Sequence, residues 1–231
     1  MGSEKALAFY LDGPMQSWGA SSRFQHRKTE SFPTKSGVLG LMAAALGIDK
    51  HSPDESVRIA PLAALDFSVC AIVEAANRRE AVRFEDFHTV GGGYDRNDPI
   101  QRLHITQKAS GGPSTTVITR RTYLSDARFI AVFHGDGDLL QSCAAALENP
   151  VWGVWFGRKT CLPASPLSPV LADSTEDAVS RLLQKLNRGR EFAASRGLQQ
   201  ADGEDSWFQA DQPVSYGRRE FQSRPVRNAR R

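Results

Sequence analysis

The residues best placed to do chemistry in this chain are cations set beside turns and aromatics. One set opens the stretch Phe32–Gly47, "FPTKSGVLGLMAAALG". Thr34, Lys35 and Ser36 stand where an apolar, Ala-rich helix begins. A helix start offers unpaired N–H groups and the positive end of the macrodipole, so it favours an anion. A phosphate-binding P-loop is a poor fit. It needs glycines before the lysine, whereas Gly37 follows Lys35 and Pro33 supplies no N–H. Either an anion contact or a capped core helix satisfies this stretch. Its apolar side chains, Val38, Leu41, Met42 and Ala45 with Leu39 and Leu46, predict burial on more than one face. Gly37 and Gly40 would admit a neighbouring backbone.

A second set lies in Gly13–Thr34, where Trp18 and Phe24 stand near Arg23, Arg27 and Lys28. Aromatics among cations suit stacking on unpaired bases with phosphates held alongside. The third is Gly91–Ser114, with five Gly, two Pro and little periodicity. Such a length predicts a functional loop or a projecting hairpin. Arg102, His104 and Lys108 lie within it, and Arg120 and Arg121 on the strand that returns from it. A basic finger of this kind can lie along a nucleic-acid backbone. Catalytic groups are harder to assemble. His26, His88, His104 and His134 are scattered, no HxxxH or HxH pair occurs, and neither a metal site nor an acid–base set is expected.

Bulk properties agree with a folded, membrane-free protein. The 231 residues are 40% hydrophobic and 24% charged, enough for a real core. No apolar run is long enough to span a bilayer, and the first residues carry no signal-peptide pattern. Cys70, Cys143 and Cys161 are far apart and never in CxxC, which argues against disulfides and predicts a cytoplasmic setting. Net charge is +3, yet Gly217–Arg231 alone carries six Arg against one Glu, so the rest is net acidic. An Arg-rich end suits phosphates or acidic partners, or stands solvated.

The elements that must position these groups follow from patterning. Strands are predicted at Ala6–Leu11, Leu65–Ala75, Ala81–Val90, Thr115–Leu124 and Ala127–Gly135, with a last core strand in Val151–Cys161. Helices are predicted at Ser36–Leu46, Asp138–Pro150 and Thr175–Leu186. The order predicts an α+β, ferredoxin-like (RRM-type) βαββαβ domain. We expect this domain to span 1–160 with a protruding β-hairpin thumb inserted at about 91–116. A small C-terminal extension, 161–231, would carry the Arg-rich tail.

Five blocks together resemble the CasD family of type I-E CRISPR Cascade complexes: "GPMQSWG", "FPTKSGVLGLMAAALG", "TTVITRRTYLSDARFIAVF", "FGRKTCLPASPL" and "YGRREFQSRPVR". They fall in the family's order and span nearly the whole chain. The resemblance implies a non-catalytic subunit without cofactors that caps the 5′ handle of the CRISPR RNA (crRNA). It also implies contacts with backbone CasC subunits and the large CasA subunit, and with target DNA through the assembled complex. It places Gln16 and Trp18 in a loop facing the handle and Thr34, Lys35 and Ser36 on its phosphates. Arg102, His104 and Lys108 would lie on the thumb, with Arg158 and Lys159 flanking the groove. Relatives in type I-C systems cut precursor RNA, so a metal-independent endoribonuclease is the alternative.

Overall fold

The computed structural model describes residues 3–19, 25–74, 81–90, 95, 97–104, 116–187, 192–200, 203 and 205–229. The first strand, β1 (Glu4–Asp12), shows why "ALAFYL" reads as an unbroken apolar run. Successive side chains leave a strand on opposite faces, and both faces of β1 are covered. Leu7, Phe9 and Leu11 enter one core, whereas Ala6, Ala8 and Tyr10 enter a second. The chain continues through β2 (Met15–Gln16), β3 (His26–Arg27), α1 (Lys35–Ala45), α2 (Glu55–Ala64) and β4 (Asp66–Glu74). Next come β5 (Val82–Val90), β6 (Val117–Ser125), β7 (Arg128–Asp136) and α3 (Gly137–Glu148). It ends with β8 (Val170–Ala172), α4 (Thr175–Leu186), β9 (Phe192–Gln200), β10 (Trp207–Ser215) and β11 (Glu220–Asn228). The fold is mixed α+β.

Seven strands form one sheet in the order β10-β11-β9-β4-β7-β1-β8, with every described pairing antiparallel. The larger core takes Val38, Leu39 and Met42 of α1, Ile59 and Leu62 of α2, and Leu140 and Cys143 of α3. On the opposite face, Ala178 and Leu182 of α4 are one helical turn apart and close over Ala6, Ala8 and Val132. The predicted two-sided burial of α1 is present, and its two glycines have different neighbours from those expected. Gly37 accommodates the Trp18 ring, and Gly40 faces the ring of Tyr216, so side chains rather than a backbone occupy the space.

A smaller sheet is built around β6. It pairs along its whole length with β5, while its other edge takes β2 antiparallel and β3 parallel. The strand expected at Ala81–Val90 is therefore an arm of this hairpin rather than a member of the main sheet. The hairpin's arms lie outside the expected 91–116 insertion, whose middle falls beyond the described residues.

Three further expectations change. Val151–Cys161 forms no strand. Phe156 N–H donates to Cys161 O (2.7 Å) and Cys161 N–H to Arg158 O (2.8 Å), closing a tight loop. The strand on β1's free edge is β8, three residues long. The C-terminal segment does not stand apart: β9 pairs with β4, so strands from both sides of the boundary expected at 160/161 share one sheet. Nor is the Arg-rich end a solvated tail up to Asn228. It is β11, where Arg224 and Val226 alternate into the interior.

Candidate nucleic-acid interface

The helix start singled out above already holds an anion, and that anion is the protein's own. Asp211 is fully buried and accepts Lys35 N–H (2.7 Å) at the first turn of α1. Its carboxylate also takes Arg224 Nε (2.7 Å) and Nη2 (3.1 Å). Thr34 caps the same turn, its hydroxyl accepting Gly37 N–H at 3.2 Å. A phosphate would meet this carboxylate rather than free amides.

Lys35 is likewise not a phosphate ligand. Its side chain is 0% exposed and its ammonium donates to Ala63 O (2.8 Å), Leu65 O (2.6 Å) and Gln200 Oε1 (3.0 Å). Burial, with Arg224 nearby, lowers its pKa from 10.5 to about 8, against the opposing pull of Asp211 and Asp66. Because the folded pKa is depressed, the unfolded chain binds more protons between about pH 8 and 10.5. This group's contribution to stability therefore rises with pH across that window. We expect a total of up to about 3 kcal/mol, read as the urea unfolding free energy of the wild type minus that of Lys35→Met. A difference that stays flat from pH 8 to 10 would contradict it.

Gln16 and Trp18 are also internal. Gln16 Nε2 donates to Leu11 O (3.1 Å) and Ala127 O (2.7 Å), and its Oε1 accepts Trp18 Nε1 (3.0 Å). The Trp18 ring is 0% exposed, tilted against Phe156 at 6.0 Å. It has no free face for a base. Its role is to close a loop: Trp18 N–H donates to Thr29 Oγ1 (2.8 Å), and Trp18 O accepts Glu30 N–H (2.7 Å). Arg27 and Lys28 are exposed on the excursion between these ties.

Several of the predicted residues meet in one open cleft of about 230 Å³. Trp18, Thr34 and Gly37 wall it, and Arg27, Lys28 and Arg158 supply its charge. No Asp or Glu lines it among the described residues. Gly157, at φ +85°, forms part of the wall, and a Cβ there would lie 1.8 Å from Ser17 O. Only glycine permits this approach. Sequence reading missed Ser17, Gly19 and Gly157 as lining residues. A glycine directly before the Arg158–Lys159 pair is the one signal that could have indicated Gly157.

Other expected contacts are distributed differently. Lys159 is exposed, with its ammonium 5.6 Å from the Trp155 ring centroid. Arg120 and Arg121 are neighbours on β6 and so point to opposite faces. Arg121 shares a face with Tyr123, over which Arg158 sits. Arg120 lies on the other face, paired with Glu85 (3.0 Å), and is corrected to a site away from the cleft. Ser36 does not line the cleft, and its carbonyl accepts Tyr216 Oη–H (2.6 Å). Arg102 is exposed on a single 3₁₀ turn, Gln101–His104, outside the cleft. Arg23, Lys108 and the His104 side chain lie outside the described residues.

Among the described residues, no three His, Cys, Asp or Glu side chains group as a metal site. No helix among them is long and apolar enough to cross a membrane. The arrangement has the chemistry of an open cationic cleft, where the summed positive charge favours an anion.

Comparison with known proteins adds to this geometry. A family model described as CRISPR-associated protein (Cas_Cas5) matches residues 6–227. Over 167 residues the chain is 31% identical to the CRISPR system Cascade subunit CasD of Escherichia coli (strain K12), an alignment covering 70% of this chain and 68% of that one. A chain of a solved structure titled "CRISPR RNA-guided surveillance complex" aligns with a TM-score of 0.71 at 26% identity, covering 97% of this chain and 89% of that one. Another, titled "Crystal structure of Cas protein", aligns with a TM-score of 0.60 at 28% identity, covering 97% and 93%.

Proposed function

The chain belongs to the Cas5 family of CRISPR-associated proteins, and on that premise we propose that it is a non-catalytic, RNA-binding subunit of a type I-E Cascade surveillance complex. In this role it caps the 5′ handle of the crRNA and helps display the guide for target DNA recognition. The CasD relative, named as a Cascade subunit, supports the assembly. The observation that carries RNA binding is the cleft itself, where Arg27, Lys28 and Arg158 converge with no lining acid. Phosphates of a single strand fit such a cleft, and backbone contacts there would set register while bases elsewhere carry specificity.

The main sheet supports the architectural part of the reading. Strands β4-β7-β1-β8, with α1 and α2 between β1 and β4 and α3 between β7 and β8, run in a ferredoxin-like order. The β5–β6 hairpin corresponds to the thumb in this reading, and neighbouring CasC and CasA subunits would pack around it. Exposed Val82, Phe87 and Ile118 on the hairpin give those contacts apolar area.

Purification of the tagged full chain with its natural partners tests the proposal. We expect a bound RNA with one defined 5′ end, lost together with assembly after ribonuclease treatment. Recovery of an RNA-free complex of normal composition would favour a scaffold that contacts only proteins. Incubation of the pure chain with precursor repeat RNA in EDTA should leave the RNA intact, and a single cut at the base of the repeat hairpin would establish the endoribonuclease instead.

A further inference from the structure

Arg158 was expected beside the groove as a phosphate contact, yet both of its terminal nitrogens and its flat face contact the protein itself. Its Nη1 donates to Thr122 O (3.1 Å) and its Nη2 to Arg27 O (2.7 Å). Its guanidinium carbon lies 4.5 Å from the centroid of Tyr123. The Tyr123 ring stacks in turn on Phe84 of the opposite hairpin arm, with centroids 5.3 Å apart and planes 18° apart. One planar cation thus joins β3, both arms of the hairpin and the loop after α3. The loop is itself held: Phe156 O accepts Ser17 N–H at 3.1 Å, and Arg158 O accepts Cys161 N–H at 2.8 Å.

We infer that Arg158 is a positioning residue, a clamp that fixes β3, which bears Arg27 and leads directly into Lys28, against the root of the hairpin. This rests on the RNA-binding reading for its consequence, although the clamp itself is a property of the free chain. The geometry explains why arginine stands here. Two carbonyls lie at the ends of one rigid fork while the flat face covers an aromatic ring, and a lysine ammonium cannot do both. The clamp would hold the rim cations at a set distance from the hairpin root before any ligand arrives. Binding then costs less ordering of β3 than it would on a free loop.

The test compares Arg158→Lys, Arg158→Met and Tyr123→Leu with the wild type, using the full chain. Without RNA, amide hydrogen exchange in Arg27–Lys28 and Thr119–Tyr123 is expected to accelerate about tenfold or more in both Arg158 variants, while the centre of β1 is unchanged. With a fluorescent single-stranded RNA of mixed sequence, both variants should bind about tenfold more weakly, with the same slope of log K against log salt as the wild type. Two results would overturn the clamp. One is unchanged exchange in both variants. The other is a Lys variant that binds normally while the Met variant loses roughly 0.7 of slope, the signature of one phosphate contact on a single strand. If Arg158→Met does not fold, Arg158→Lys and Tyr123→Leu carry the exchange comparison. Wild-type binding that ignores salt would count against the RNA reading, and the exchange data would still decide the clamp.

Discussion

Asp211→Ala is expected to destabilise the protein by about 3–5 kcal/mol, the range for breaking a buried ion pair by removing one partner. The carboxylate is fully buried and is the only described hydrogen-bond acceptor for the Arg224 guanidinium, which is itself 5% exposed. Its loss strands Arg224 in the core and removes the partner of Lys35 N–H at the start of α1. It also removes the negative charge that offsets two buried cations, Lys35 and Arg224. Asp211→Asn should cost less, because an amide oxygen still accepts from the backbone N–H. Arg224→Met in the Asp211→Asn background should recover part of the loss, since the unpaired charge is then gone. Urea denaturation followed by circular dichroism checks all three. An Asp211→Ala midpoint equal to that of the wild type would remove this carboxylate from any account of how the C-terminal strands hold α1.

Arg27→Glu with Lys28→Glu is expected to abolish most RNA binding while leaving the denaturation midpoint within error. Both side chains are exposed, Arg27 at the end of β3 and Lys28 just after it, in an excursion whose ends are tied by Trp18 backbone bonds, so reversal disturbs no packing. Each charge-assisted contact is worth roughly 1.5–3 kcal/mol, so losing two weakens binding by about 10²-fold or more. The milder double alanine variant should reduce the slope of log K against log salt by roughly 1.4, two contacts on a single strand. Fluorescence anisotropy across a salt series measures both. If affinity and slope survive charge reversal, the cleft is not where RNA phosphates sit. Lys35 variants give the contrasting pattern: stability and its pH dependence change, while the salt slope of the folded protein does not.

The apolar runs and helical stripes disclosed β1, α1, β4, β7, α3 and α4 because their signal is local. Residues one turn or one pleat apart determine which face is buried. The same local reading detected the cations of the cleft and one of its glycines, Gly37. It could not assign their directions. "TKS" at a helix start predicts an anion, and an anion is there, but it is Asp211, 176 residues downstream. The family resemblance places Gln16 and Trp18 of "GPMQSWG" in a loop facing a ligand. In the fold the Gln16 amide and the Trp18 indole bond each other, and the Gln16 amide also donates to the carbonyls of Leu11 and Ala127. Arg120 and Arg121 look like one basic pair, and strand parity separates them. The C-terminal arginines look like a tail because no hydrophobic stripe marks them, yet pairing with β10 and one buried carboxylate draws Arg224 inside.

By itself the sequence determined the composition of the site: which cations, aromatics and glycines this chain owns, and the short elements that carry them. It also determined the likeness of ordered blocks to a CRISPR-associated family, since that likeness is a property of residue order. Only the tertiary structure decided which cations face solvent. Exposure depends on what packs above a side chain, and those partners arrive from distant strands through sheet register. A lysine and an arginine of the same charge were thereby sent to opposite fates, Lys35 into the core and Arg27 to the rim of the cleft.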